Sequence, residues 1–149
     1  MQPFVPRVVS YLAVLMSGLV AGLLFGTVVD HAKLRVLDGP SWVVARQSID
    51  SVFSVIMPWL WNTTLVLLVA AAYLHHGRTR GLFTAAALIL LAGIVVTLIV
   101  EVPINKQIAS WTATSIAPDW AVLRERWIHF HAIRMAAGVA AFVCALLAQ

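Results

Sequence analysis

Charged residues are scarce in this chain, and their scarcity excludes an ordinary soluble domain. They make up 11% of the 149 residues, and 62% of the residues are hydrophobic. A soluble domain usually carries about 25% charged residues. The net charge of +4 does not indicate nucleic-acid binding, because the basic residues are scattered along the chain. Composition and length therefore predict one integral-membrane domain, residues 1–149, with the lipid bilayer as its partner.

Cysteine and metal-binding motifs are also scarce. The single cysteine, Cys144, excludes a disulfide framework and a CxxC redox pair. The sequence has no HxxxH or ExxH motif, and two histidines spaced like His129 and His131 point in opposite directions on a helix. We therefore predict no metal site. A metal ion remains the less favoured alternative, with candidate ligands His31, His129, His131, Asp50 and Glu101.

Long apolar runs are what the chain has in abundance. About 20 apolar residues in a helix span the ~30 Å hydrocarbon core of a bilayer, and a helix satisfies its own backbone polar groups there. The sequence therefore predicts an all-α four-helix transmembrane bundle. Its expected spans are residues 8–29, 51–73, 82–102 and 127–147.

The connections between these runs are unequal. The first and third are about twenty residues or more, and both contain apolar and aromatic residues, so we expect each long loop to hold a short interfacial helix. With four spans, both loops cap the same membrane side. The short turn on the other side carries Arg78 and Arg80 without acidic residues. This favours cytoplasmic termini, in what we expect to be a bacterial cytoplasmic membrane.

Polar residues gather at the loop side of the spans. Arg134 lies about two turns inside the last apolar run. An ionisable group at that depth costs at least ~2.5–3.5 kcal/mol unless a partner compensates it. Arg124, Trp127 and His131 fall within about 80° of Arg134 on the same helix face. The adjoining ends of the second and third spans contribute Gln47, Asp50, Glu101 and Asn105.

This polar set has two interpretations. In the catalytic one, His131 accepts a proton, Arg134 holds an anion, and Asn105 with Gln47 orients the substrate. In the structural one, Arg134 forms a buried ion pair with Glu101 or Asp50 that fixes helix register. The tryptophans would then be interfacial anchors rather than walls of an aromatic site. A non-catalytic protein that binds a lipid, a quinone or a small metabolite, or a subunit of a larger membrane complex, remains the alternative from another functional class.

The closing part of the chain resembles the anthrone oxygenase family of small four-helix membrane proteins. The resemblance rests on Val102-Pro103-Ile104-Asn105 and on the pattern R-W-x-x-x-H-x-x-R from Arg126 to Arg134. It implies a membrane oxygenase that oxidises a lipophilic, anthrone-like aromatic molecule with dioxygen and without a bound cofactor. Assembly into a homo-oligomer is left open. The expected catalytic residues are His131, Arg134, Asn105 and Trp127, and the expected substrate-binding residues are Gln47, Asp50, Glu101, Arg124, Trp111 and Trp120.

Overall fold

The computed structural model describes residues 4–149 and confirms the four-helix bundle. Four helical segments are long and apolar enough to cross a membrane, and the third of them consists of two α-helices joined by a π-helical turn. The helices are α1 (Phe4–Leu34), α2 (Gly39–Leu74), α3 (Gly77–Val96), α4 (Val102–Ala109) and α5 (Trp120–Leu147), with the π turn at Thr97–Glu101.

The first predicted long loop is instead a short connection, residues 35–38. The Asp38 carboxylate accepts a hydrogen bond of 2.9 Å from the Ser41 amide, and Pro40 lies in the first turn of α2. A capping aspartate followed by proline is a helix start, because the carboxylate satisfies a free amide and proline needs no donor there. The expected separate interfacial helix is therefore the beginning of α2, with Trp42 buried in it.

The second predicted long loop is also shorter than expected. Its apolar residues belong to α4, which continues directly from the π turn, and only residues 110–119 connect α4 to α5. Pro103 does not end the helix, since it follows the π turn directly and α4 continues from it to Ala109. The π turn places an extra residue in the helix and alters which side chains face inward. Glu101, at the end of that turn, is 1% exposed.

Packing in the bundle follows the chain around a ring. α1 and α3 each contact both α2 and α5, and direct contact between α2 and α5 is slight. The apolar core of the membrane part includes Leu24, Leu68 and Leu90. A Cβ atom on Gly138 would lie 2.8 Å from Leu24 Cδ1, so the glycine permits the close approach of α5 to α1. A second cluster at the loop side includes Trp42, Val43, Ile104, Ile108 and Trp127.

Candidate functional site

Arg134 on α5 forms a buried ion pair with Glu101 of the π turn. Their side chains are 11% and 1% exposed, respectively. Arg134 also donates hydrogen bonds to Thr97 Oγ1 at 3.1 Å and to His131 Nδ1 at 2.7 Å. The other carboxylate oxygen of Glu101 lies 3.6 Å from the same His131 nitrogen. The charge that the sequence places inside an apolar run therefore has a carboxylate partner, as membrane burial requires.

The hydrogen bonds of His131 define its tautomer. Nδ1 accepts from the Arg134 guanidinium, which has no acceptor capacity, so this nitrogen carries a lone pair. Nε2 lies 3.1 Å from the carbonyl oxygen of Leu24 and therefore carries the proton and donates it. The lone pair on Nδ1 faces Arg134 and Glu101, so a proton taken up there would be held next to a carboxylate.

Trp127 lies at the centre of a group of stacked rings. Its ring centroid is 4.6 Å from that of His131 and 4.3 Å from that of His31, with small interplanar angles of 12° and 20°. The guanidinium of Arg46 lies 4.2 Å from the Trp127 ring centroid, a cation–π contact. His31 donates from Nδ1 to the Thr27 carbonyl at 2.8 Å. Its Nε2 is therefore an acceptor, buried beside the tryptophan.

Asn105 on α4 joins this aromatic group to α2. Its Oδ1 accepts from Trp127 Nε1 at 2.9 Å and from Arg46 Nη2 at 3.0 Å. Its Nδ2 donates to Asp50 Oδ1 at 3.1 Å, and Arg46 donates to the same oxygen at 3.2 Å. Asp50 is thus the partner of Arg46, whereas Glu101 is the partner of Arg134. Asn105, Trp127 and His131 link the two ion pairs into one connected polar core.

A pocket of about 370 Å³ opens between α2 and α4 beside this core. Pockets for small molecules usually fall between about 300 and 1,000 Å³. Arg46 and Asn105 belong both to the pocket wall and to the polar core, so they connect the two. The lining residues are Arg46, Gln47, Asp50, Ser51, Ser54, Asn105, Ile108 and Ala109.

Four of the predicted site residues contact other parts of the loop side instead of the Arg134 ion pair. They are Gln47, Trp111, Trp120 and Arg124. Gln47 lines the pocket, but its Nε2 donates to the carbonyls of Ile108 and Trp111, both at 2.9 Å, and thereby secures the end of α4. Arg124 lies over the Trp120 ring at 4.9 Å and contacts the backbone of Arg35. The structure therefore brings together Glu101, Asn105, Trp127, His131 and Arg134, with Asp50 joined through Asn105.

Sequence analysis missed Arg46, Thr97 and the aromatic role of His31. Arg46 is 3% exposed and lies four residues before Asp50, a spacing typical of paired charges on a helix. The helical spacing of Arg46 and Asp50 carries no information if the residues before 51 are expected to form a loop. From the sequence, His31 was expected only as a candidate metal ligand. Within residues 4–149, no group of three His, Cys, Asp or Glu side chains is arranged to hold a metal ion.

The polar core retains unused hydrogen-bonding capacity. Among the described residues, four of its buried polar atoms have no protein partner: His31 Nε2, Arg46 Nε, Glu101 Oε1 and Arg134 Nε. Buried polar groups are normally satisfied by protein, water or a bound molecule. The polar core thus has two donors and two acceptors that water or a bound polar molecule can satisfy.

Comparison with known proteins identifies one family. A family model described as "Anthrone oxygenase" matches residues 49–144, which is more than half of the chain. The matched range contains Asn105, Trp127, His131 and Arg134, the four residues expected to be catalytic. His31 and Arg46 lie outside it. No curated protein and no solved structure matches the chain.

Proposed function

The chain belongs to the anthrone oxygenase family, and from this we propose that it is a membrane-embedded oxygenase. Its proposed substrate is a lipophilic aromatic molecule of the anthrone type, and dioxygen is the co-substrate. The observation that carries the proposal is the buried contact of His131 with both Arg134 and Glu101. In this contact an imidazole, a guanidinium and a carboxylate lie together in one buried site, a combination that supports proton transfer and anion stabilisation.

The proposed binding position is the pocket between α2 and α4. Ser51 and Ser54 line its exposed side, and Arg46 with Asn105 forms the side toward Trp127. A lipophilic molecule dissolved in the bilayer reaches this opening from the membrane. Arg46 and Asn105 separate this pocket from Trp127 and from the buried His131, so the substrate reaches His131 and Arg134 only when these two side chains move aside.

In this proposal, proton abstraction begins when Arg134 gives up its hydrogen bond to His131 and donates to the substrate instead. The guanidinium now donates to His131 Nδ1. When the substrate oxygen becomes the acceptor for Arg134, this nitrogen is released and takes a proton from the acidic CH₂ group of the substrate. Glu101, 3.6 Å away, stabilises the imidazolium that forms. Arg134 stabilises the oxyanion of the conjugated carbanion.

The oxidation needs only dioxygen. The carbanion transfers an electron to dioxygen, the two radicals combine at carbon, and the imidazolium protonates the resulting peroxide to a hydroperoxide. Removal of the second proton from the same carbon then breaks the O–O bond, and hydroxide leaves as water after protonation. The sum is one CH₂ group and one O₂ converted to one C=O group and one H₂O. A buried site protects the anion from competing reprotonation by water. The proposal includes no bound cofactor or metal.

Comparison of two histidines on α5 tests this mechanism. His131→Ala removes the proposed base and is expected to lower the rate of oxygen consumption with an anthrone by about 10²–10⁴-fold. His129→Ala is the matched control, because that histidine is exposed and two residues away. If both purified variants remain folded and consume oxygen at the wild-type rate, His131 is not the base of this mechanism. Wild-type protein without any activity on anthrones would refute the substrate assignment.

A non-catalytic binding protein is the second candidate, and the engagement of both His131 ring nitrogens favours it. In that case the pocket retains a lipid, a quinone or a small metabolite without proton transfer. Titration of the purified protein with an anionic anthrone analogue separates the two candidates. For a binding protein, Arg134→Ala weakens binding, whereas His131→Ala leaves both affinity and substrate unchanged.

We also propose that the termini are cytoplasmic. The turn between α2 and α3 carries Arg78 and Arg80, and Arg7 lies at the same end of the bundle. The polar core then opens toward the outer surface of a bacterial cytoplasmic membrane. A reporter enzyme active only outside the cytoplasm, inserted in the loop at residues 110–119, should be active. Activity of the same reporter only when inserted at the basic turn would reverse the orientation.

A further inference from the structure

The outward face of α2 carries polar side chains in the part of the helix that lies in hydrocarbon. Ser54, Asn62 and Thr63 are exposed on the outside of the bundle. Asn62 is the midpoint of the apolar run 51–73, so its carboxamide lies near the centre of the bilayer. A carboxamide in hydrocarbon without a hydrogen-bond partner is costly. The position therefore needs a partner that the monomer does not supply.

The other serine and threonine hydroxyls of the spans are satisfied within their own helices. Thr64, next to Thr63, donates to the Leu60 carbonyl at 2.6 Å, and Thr84 donates to the Arg80 carbonyl at 2.9 Å. Ser10, Ser17, Thr27, Ser51 and Thr97 also donate to carbonyls of their own helices. Within residues 4–149, the side chains of Ser54, Asn62 and Thr63 make no hydrogen bond. Among the serine, threonine and asparagine side chains of the four apolar runs, those without a hydrogen-bond partner in the described structure are thus confined to α2.

Pro58 adds a backbone group to the same face. It lies inside α2 and is exposed. Proline has no amide hydrogen, so the carbonyl of Ser54, four residues earlier, loses its helical donor. This side of α2 therefore presents a backbone acceptor and the Asn62 carboxamide to a neighbour, and Ser54 and Thr63 lie at its two opposite edges. The apolar residues Val55, Val66 and Val69 complete the surface and are exposed by 63%, 66% and 53%.

We propose that this outward face of α2 is the interface of a homodimer, in which Asn62 pairs with Asn62 of a second copy of the chain. A carboxamide contains both a donor and an acceptor, so one residue can bond reciprocally with itself across a two-fold axis. The valines pack around this bond, since van der Waals contact and interhelical hydrogen bonds drive helix association in lipid. This inference does not depend on the proposed oxygenase activity.

The interface adjoins the proposed substrate pocket. Ser54 is at the edge of the outward face and also lines the pocket between α2 and α4. A second copy on this face therefore lies beside the pocket opening and reduces the part of the opening that faces lipid. The dimer gives both pockets the same surroundings, because the two-fold axis repeats the contact.

Single-molecule photobleaching of labelled protein in lipid vesicles tests the dimer. Wild-type protein is expected to bleach in two steps at high protein-to-lipid ratio and in one step after dilution. Asn62→Leu should weaken association by about tenfold, the size expected for one interhelical polar pair in a membrane. Thr84→Leu is the matched control, because Thr84 is exposed but already bonded within its own helix. A wild-type monomer at every ratio, or an Asn62→Leu variant that associates like wild type, would overturn the proposal.

Cross-linking locates the interface independently. In a Cys144→Ala background, Val66→Cys should form a disulfide between two copies on treatment with a membrane-permeant oxidant. Leu88→Cys on α3 is the matched control, because its side chain is 61% exposed and lies at a similar depth, six residues from the end of its apolar run. Equal cross-linking at Leu88→Cys and Val66→Cys, or cross-linking only at Leu88→Cys, would contradict an interface on α2.

Discussion

Neutralising Glu101 provides the most direct energetic test of the buried ion pair. The side chain is 1% exposed and is the carboxylate partner of Arg134, which is 11% exposed. Glu101→Gln keeps the size of the side chain but leaves the guanidinium without a counter-charge. Breaking a buried pair in this way costs about 3–5 kcal/mol. For a chain of this size, each kcal/mol lowers the melting temperature by about 2–4 °C, so we expect a decrease of roughly 6–20 °C.

Two further variants make this experiment decisive. Glu125→Gln is the control, because Glu125 also pairs with an arginine, Arg35, but their side chains are 45% and 54% exposed. Exposed pairs contribute about 0–1 kcal/mol, so this variant should be almost as stable as wild type. Combining Glu101→Gln with Arg134→Leu removes both charges and should recover most of the loss. Thermal unfolding in detergent that gives the same small shift for both glutamate variants would refute a charged pair at Glu101.

Three other predictions concern the groups around this pair. Asn105→Ala removes the acceptor of the Trp127 indole and should cost about 1–3 kcal/mol of unfolding free energy; an unchanged free energy would mean that the indole finds another acceptor. Gln47→Leu removes the donor to two backbone carbonyls at and just after the end of α4, so proteolysis of the loop 110–119 should become faster. An unchanged cleavage rate would show that these two hydrogen bonds do not hold the loop in place. Hydrogen bonds from the side chain and the backbone amide of Ser41 hold the pKa of Asp38 below its ordinary value of 3.8. The stability from this cap is therefore complete above that value and is lost as the pH falls through the lowered pKa. Asp38→Asn still caps α2 but does not titrate, so its melting temperature should fall less steeply in acid than that of wild type; parallel acid profiles would contradict this.

The existence of four helices could be predicted from the sequence, but their ends could not. Apolar runs indicate where a helix crosses hydrocarbon, and they end where polar residues begin. Here the helices continue past those points, because Asp38 caps α2 and Pro103 is accommodated after the π turn. The segment Asp38-Gly39-Pro40-Ser41 is compatible with a turn and with a helix start. Only the burial of Trp42 and Arg46 at helical spacing distinguishes the two.

Much of the candidate site could also be predicted, because its residues share a helix face. Trp127, His131 and Arg134 recur at steps of three or four, so their proximity follows from helical periodicity. Their partners on other helices do not follow from periodicity. The choice of Glu101 rather than Asp50 for Arg134 depends on the rotation of the π turn, and the bond from Arg46 to Asn105 joins residues 59 positions apart. Such pairs depend on how the helices pack.

Oxidation of an anthrone by purified wild-type protein under ¹⁸O₂, followed by mass spectrometry, tests the oxygenase proposal most directly. The account predicts one ¹⁸O atom in each new carbonyl group and the other in water, at a rate well above that of spontaneous oxidation. It also predicts that His131→Ala reduces this rate to the spontaneous value while His129→Ala does not. Label incorporation at the same rate with wild-type protein, with His131→Ala and without protein would contradict the account.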